Sequence, residues 1–486
     1  MKRYRSIAAV MAAAAALTAF TGCGSSTNYD KLLKKDDPVV ITIWHYYNGI
    51  QQSQFDEMIS EFNNTVGAEK GIIAEAFSKN SVNELASSIT ASVNNDVGAD
   101  PVPDIFGTYA ETAYIVDNKG MLADLSQYFT ADELDGYVDE YISEGRLNQP
   151  DTLKIFPIAK STELMMVNAT DWDKFAAAEN VTDSDISTWE GLVKTSEKYY
   201  NYTDALTPDI PNDGKALFGR DSIANYMVIG AKQLGNPIAA DDGSGNITVT
   251  ADKETFRRLW ENYYVPYVKG YFAAKSRFRS DDMKTGSIIA MVCSSSAASY
   301  CPKEVTIDDD YTYPIDIKVL PVPNFEGCDP YIVQQGAGMS VIKSDPKTEY
   351  ACSVFLKWFT DDDRNIEFSV NSGYLPVKKD ANDIDRIISA KSDIDETMKS
   401  TISLAIDEIN SYTLYTAPPF DNSADVREYV SDYITDTSAA AYDEAQALIS
   451  SSGGDREAVL AQFISDEAFE EWYSGLVTGL EQITGK

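Results

Sequence analysis

The chain of 486 residues contains one histidine, His45. That scarcity leaves almost no room for a histidine-based metal cluster or a Ser-His-Asp triad. Positive charge is also short: 40 Lys and Arg face 76 Asp and Glu, for a net charge of −36. Nucleic acid is disfavoured as a partner, because its binding needs cations that displace phosphate counterions. Docking of the folded body on anionic lipid is disfavoured for the same reason, and the charge reads as a solvated surface that keeps a secreted chain soluble. Apolar runs are few. The longest, residues 7–20 (IAAVMAAAAALTAF), falls short of the roughly 20 residues a membrane-spanning helix needs. Four cysteines follow residue 23, at positions 293, 301, 328 and 352, with no zinc-site spacing. An exported chain can hold disulfides, and Cys293–Cys301 is the pair to consider. Cys352, with Phe355, Leu356 and Phe359 following at helical spacing, reads as a core thiol. Neither a metal nor a cofactor is expected.

What the N-terminus does contain is specific. Lys2, Arg3 and Arg5 precede the apolar run, and small residues follow it, the pattern of a secretory signal over residues 1–22. Phe20-Thr21-Gly22-Cys23 resembles a bacterial lipobox, with Phe20 where Leu is usual, and this makes Cys23 the expected lipidated first residue. Residues 23–37 read as a flexible tether. Cleavage removes three of the 40 basic residues and no acid, leaving 37 against 76 and a net charge of −39. A mature chain of this length exceeds one typical domain, so two lobes are expected.

Along the chain, VVITIWHYY (39–47) is a β-branched run typical of a buried strand. QFDEMISEFNNTV follows with Phe55, Met58, Ile59 and Phe62 at helical spacing. IIAEAF is a second strand, VNELASSITASVNN a second helix and PVPDIFGTY a third strand. Such alternation implies a parallel sheet with crossover helices. Ligands of these sheets bind at the carboxyl ends of the strands, here Trp44 to Tyr47 and Gly107 to Glu111. Ser187-Thr188-Trp189-Glu190 has the spacing of a capping box that starts a helix. ADDGSGNITVTA is acidic, but the twelfth position from Asp242 is Lys253, which speaks against a calcium loop. SIIAMV is a strand ending at Ser294, Ser295 and Ser296, where a helix begins and where hydroxyls and free N–H groups can hold a sugar hydroxyl or an anion. The last third is mostly helical.

The order of these segments resembles the family 1 extracellular solute-binding proteins of bacterial ABC importers. ITIWHYYNG…FDEMISEFN is similar to that family's opening strand, aromatic loop and helix. VPDIFGTYAETAYIVDNKGMLADLSQYF is similar to its "PD" strand and "G-x-L-x-D-L" segment. FPIAKSTELMMVNATDWDKF resembles the lobe crossing, with Val167-Asn168 where the family usually has Tyr-Asn. STWEGLV, GSIIAMVCSSS, VLPVPNFEG, QQGAGMSVIK and CSVFLKWFTDDDRNIEFSVNSGYLPV complete the series. The resemblance implies an α/β, two-lobed periplasmic-binding-protein-like fold (type II) with a ligand cleft between the lobes. One lobe is expected over residues 38–157 and 339–395, the other over 164–333 and 396–486, with hinges near 158–163 and 334–338. It further implies a monomer on the outer face of the cytoplasmic membrane that hands a small molecule to an ABC permease and performs no catalysis.

Within that frame the candidate ligand-binding residues are Trp44, His45 and Tyr46, Tyr109 and Glu111, and Ser294, Ser295 and Ser296. The aromatics would stack on a sugar ring, and His45 is expected to be a neutral hydrogen-bonding group. Tyr374 is similar to the tyrosine of the "G-Y-L-P" segment in the family's glycerol-phosphate binders, and Arg427 to an arginine near their C-terminal helix. Glu84 aligns with an acidic ligand of sugar diols. A carbohydrate, in particular an oligosaccharide, is the expected ligand. Glycerol phosphate or a glycerophosphodiester is the alternative carried by Ser294–Ser296 with Arg427. A secreted glycoside hydrolase would need paired carboxylates, and no segment sets two of them at the strand ends of a closed barrel.

Overall fold

The computed structural model describes residues 28–242, 246–390, 394–452 and 455–485, so the expected signal segment and Cys23 lie outside the described residues. The first sheet has five strands in the order Ile72–Ser78, Val39–His45, Ile105–Thr108, Gly338–Val341, Phe156–Pro157. Its first three strands run parallel, and Gly338–Val341 runs antiparallel to both its neighbours. Ile41 and Ile43 point into a core with Phe55, Phe62, Phe355 and Phe359, whereas Trp44 points the other way, onto Leu85, Ile89 and Phe106. Both faces are covered, which explains why this strand reads as an unbroken apolar run. Helix Gly49–Asn64 buries Phe55, Met58, Ile59 and Phe62, as their spacing predicts. Helix Val82–Asn94 is capped by Ser81, whose side chain accepts the Glu84 N–H at 3.2 Å.

The second sheet runs Ile317–Leu320, Glu163–Asn168, Ala290–Ser294, Phe218–Arg220. Glu163–Asn168 is antiparallel to both its neighbours, and Phe218–Arg220 is parallel to Ala290–Ser294. Its core gathers Trp172, Trp189 and Trp260 and is closed by Val426, Val430, Leu476 and Leu480 of the two long C-terminal helices, Ser423–Ser452 and Asp466–Thr484.

Two expectations need correction here. Part of the tether is folded: Tyr29–Leu32 form a 3₁₀ turn, Tyr29 packs on Tyr128 and Tyr350, and Asp30 binds Lys70 at 2.8 Å and the Tyr350 hydroxyl at 2.8 Å. The N-cap of helix Trp189–Asp204 is Thr188, which accepts from Gly191 N–H at 3.1 Å, and not Ser187. Ser187 is diverted because its hydroxyl donates to the Ser184 carbonyl, while Glu190 pairs with Arg258. Cys293 and Cys301 are separate thiols, as are Cys328 and Cys352. Burial pushes the Cys293 and Cys352 thiols upward, which keeps them protonated and unreactive.

The chain leaves the first sheet after Pro157 and returns at Gly338, and the two crossings touch through a Ser161–Gln335 bridge. Lys160, 1% exposed, forms an ion pair with Glu144 and donates to the Gly336 carbonyl at 2.9 Å. Gln334 Nε2 donates to the same Glu144 oxygen at 2.5 Å. A single buried carboxylate thus ties both crossings. Gly336 is required there: its φ is +84°, and a Cβ would sit 2.5 Å from the Ala159 carbonyl oxygen.

Candidate ligand groove

Strand Val39–His45 of the first sheet and the parallel pair Phe218–Arg220 and Ala290–Ser294 of the second open at their carboxyl ends onto one groove of about 1120 Å³. From the first sheet come Asn48 and Gln51, just past strand Val39–His45, together with Tyr374. From the second come Asp221 and Ser222 after Phe218–Arg220, Ser294 and Ser296 at the end of Ala290–Ser294, and Glu163 at the start of its antiparallel strand. Gln335 contributes from the crossing. Ligands of open α/β sheets bind at such strand ends.

Two half-exposed aromatics, Phe278 (51%) and Tyr300 (55%), line the groove. Phe278 is held by the turn after it. There Arg279 pairs with the fully buried Asp282 at 2.6 Å, and the Arg279 N–H donates to Asp221 at 2.9 Å. Burial raises the Asp221 carboxyl above the usual carboxylate range despite that bond. Ser294 and Ser296 hydroxyls lie 2.9 Å apart, and Ser294 also accepts the Ser296 N–H at 3.3 Å. Ser295 is buried and donates to the Gly373 carbonyl at 3.2 Å, so it joins the two sides of the groove instead of facing a ligand.

Of the residues singled out from the sequence, Ser294, Ser296 and Tyr374 line the groove. Tyr46 meets Tyr374 hydroxyl to hydroxyl at 3.4 Å and accepts the Ala337 N–H at 3.4 Å; burial raises both phenols. Trp44 is not a stacking platform. It is 6% exposed among Leu85, Ile89 and Phe106, and the Lys79 ammonium covers its ring at 3.8 Å. His45 is 1% exposed against Tyr47 and Phe55, and neither ring nitrogen has a hydrogen-bond partner. Burial lowers its pKa to about 4, so it is neutral, as expected, but it is a core residue and not a hydrogen-bonding one. Alternation along the strand sends one of these side chains to each face, and helices cover both faces. Tyr109 sits beside Thr108 and Ala337 in a small recess, and burial raises its pKa to about 12. Glu111 and Arg427 share another recess away from the groove. Glu84 is exposed on its helix, where it accepts from Asn80 at 3.2 Å.

Arg427 is already engaged. Its guanidinium donates to Asn225 Oδ1 at 2.5 Å, Asn225 donates to Glu163 at 2.8 Å, and Glu163 accepts from Arg220 at 2.5 Å. Phe278 and Tyr300 were missed because KSRFRSDD and SAASYC carry no apolar period. Glu163 was missed because it reads as one polar residue before an apolar strand. Asn48 and Gln51 could have been found from their position directly after the first strand.

The sequence profile of the bacterial extracellular solute-binding proteins matches residues 57–396. No curated protein matches the chain at the sequence level. Among solved structures, the cyclic α-maltosyl-1,6-maltose binding protein of Arthrobacter globiformis is similar with a TM-score of 0.63 and 17% identity, covering 91% of this chain and 100% of its own. The Listeria monocytogenes ABC substrate-binding protein bound to cycloalternan gives 0.64 and 15%, over 91% and 99%. The Mycobacterium tuberculosis UgpB complex with glycerophosphocholine gives 0.63 and 16%, over 91% and 99%. At these identities the likeness concerns the fold, a periplasmic-binding-protein-like arrangement of two α/β sheets. No described helix is long and apolar enough to cross a membrane.

Proposed function

This chain belongs to the bacterial extracellular solute-binding proteins, and from that premise we propose that it captures a carbohydrate, in particular an oligosaccharide, and delivers it to the permease of an ABC importer. The observation that carries this reading is the groove itself. It pairs two exposed aromatic faces, Phe278 and Tyr300, with a set of uncharged hydrogen-bonding groups, namely Gln51, Ser222, Ser294, Ser296, Gln335 and Tyr374. Apolar faces with a few convergent hydroxyls and amides match a sugar ring, whose faces are apolar and whose rim is polar. That the similar structures include maltose- and cyclic-oligosaccharide-binding proteins supports the same class.

The glycerophosphodiester reading loses its main support, because Arg427 is held by Asn225. The groove also carries Asp221, Asp281 and Glu304 against Lys284 and Lys303, a balance that repels an anion. Binding in this scheme needs no covalent step, so the protein acts as a carrier and not as an enzyme. The lobes would be residues 38–157 with 339–395 and residues 164–333 with 396–486, closing about crossings 158–163 and 334–338. A monomer tethered at the cell surface through lipidated Cys23 fits the N-terminal motif.

A thermal-shift screen of neutral oligosaccharides against glycerol 3-phosphate and glycerophosphocholine tests the ligand class. A neutral oligosaccharide is expected to raise the melting temperature through linkage. Phe278→Ala and Tyr300→Ala should each weaken its binding by about 1–2 kcal/mol, the scale of a lost aromatic contact, while Arg427→Lys should change little. If only the phosphates bind, and Arg427→Lys removes about 1.5–3 kcal/mol, the carbohydrate reading is wrong. Anchoring is tested separately: Cys23→Ala should move the protein from the membrane fraction to the medium, and a wild type already in the medium would reject lipidation.

A further inference from the structure

The turn at which the folded body begins carries charge opposite in sign to the rest of the protein. Tyr29 packs on Tyr128 and Tyr350, Asp30 binds Lys70, and at the other end of the segment Asp37 pairs with Lys347 at 2.8 Å. Between these two pins Leu33 turns inward to the first core, while Leu32 is 37% exposed and Lys31, Lys34 and Lys35 face solvent. Because Asp30 and Asp37 are taken by Lys70 and Lys347, none of the three lysines has an ion pair among the described residues, and Asp36 is the one opposing acid of the segment. The lysines are fixed at the amino end of the first sheet. The Lys34 carbonyl lies against Gly71, where φ is +76° and a Cβ would sit 2.1 Å from that oxygen, and Gly71 leads directly into strand Ile72–Ser78. The groove opens at the opposite, carboxyl end of strand Val39–His45, about 20 Å further along at a strand's rise per residue. Five residues separate Cys23 from Asn28, a reach of at most about 18 Å when fully extended.

We propose that Lys31, Lys34 and Lys35, with Leu32 among them, form a docking patch for the anionic headgroup surface of the membrane and so set how the anchored body stands on it. The inference rests on the lipidation of Cys23 proposed above. Headgroup charge attracts lysines only within about a Debye length of the surface, roughly 8 Å at physiological salt. A link this short brings the three unpaired ammonium groups into that layer, where the exposed Leu32 meets the headgroup boundary. The acidic remainder of the body is repelled by the same surface. Attraction at one end and repulsion elsewhere give one preferred orientation, with the groove turned away from the headgroups and open to solute.

The test places the full mature protein, purified from membranes, in phosphatidylcholine vesicles with and without phosphatidylglycerol. Acetylation of each lysine by acetic anhydride is then followed by peptide mass spectrometry, which also reads the mass of the N-terminal peptide. Lys215 and Lys275, exposed beside the second sheet, serve as the internal reference. With phosphatidylglycerol present, Lys31, Lys34 and Lys35 are expected to react about fivefold or more slowly than the reference pair. Raising NaCl to about 0.5 M should restore their rates by screening. Lys31→Gln with Lys34→Gln should return Lys35 to its rate on neutral vesicles at an unchanged melting temperature, since both side chains are exposed. Equal rates on both vesicles, in a protein whose N-terminal peptide carries its lipid, would overturn the docking patch and leave the anchor intact. An N-terminal peptide without lipid would overturn the patch together with the anchor. Protection seen only when the permease is reconstituted alongside would assign the lysines to that protein and overturn the lipid surface as their partner.

Discussion

Lys160→Met is expected to destabilise the protein by about 3–5 kcal/mol, the loss seen when one partner of a buried ion pair is removed. Lys160 is 1% exposed, and its ammonium joins Glu144 to the Gly336 carbonyl. Without it, Glu144 is left in a poorly solvated position with Gln334 as its remaining side-chain donor. The same reasoning predicts partial or full recovery in the double variant Lys160→Met with Glu144→Met, because a buried pair replaced by apolar groups of similar volume is often neutral. Urea unfolding of the three proteins measures this. A single-variant loss below about 1 kcal/mol, the range of an exposed pair, would show that the Glu144 carboxylate is not held as described. Because Glu144 touches both crossings, the double variant should also bind ligand with altered affinity even where stability is restored.

Glu408 is expected to make the protein less stable as pH rises, the reverse of the usual carboxylate behaviour. It lies on helix Glu396–Ser411, is 2% exposed, and neither of its carboxyl oxygens has a hydrogen-bond partner. Burial pushes its pKa up to about 8, against a weaker opposing pull from the Val322 backbone. In the unfolded chain the group ionises near its ordinary value of 4.5. Between these two values the folded state holds a proton that the unfolded state has lost, so unfolding releases a proton and stability falls as pH climbs. The decline runs from about 4.5 to about 8 and levels off above that. Glu408→Gln should abolish it and gain on the order of 4–5 kcal/mol at pH 8.5, because each tenfold change in proton affinity is worth about 1.4 kcal/mol. Unfolding free energies of both proteins from pH 5 to pH 9 give the difference curve, and a flat one would sink the prediction.

Much of the first sheet was legible. The β-branched run at 39–45 and the spacing of Phe55, Met58, Ile59 and Phe62 describe a strand and a helix that packs on it. Both signals are local, and burial on both strand faces preserves them. The strand ends were legible too, because parallel order follows from strand–helix alternation. Which side chain at a strand end meets the ligand was not. Trp44 and His45 look like ideal sugar-binding residues in sequence, yet alternation turns them into opposite cores, one under Lys79 and the other against Phe55. Phe278 and Tyr300 carry no periodic signal, and their exposure depends on an Arg279–Asp282 pair and a 3₁₀ turn that only folding assembles.

By itself, then, the sequence determined the acidic body, the α/β class and the mostly helical last third. These follow from composition, periodicity and segment order, which are properties of neighbouring residues. Tertiary structure decided the rest. It drew Arg427 into a chain with Asn225, Glu163 and Arg220, and it joined the crossings through Glu144, a residue 190 positions from Gln334. It also left Glu408 buried without a partner. The physical reason is that charge, hydrogen bonding and exposure depend on what lies within a few ångströms in space, and the residues that set them here come from opposite ends of the chain.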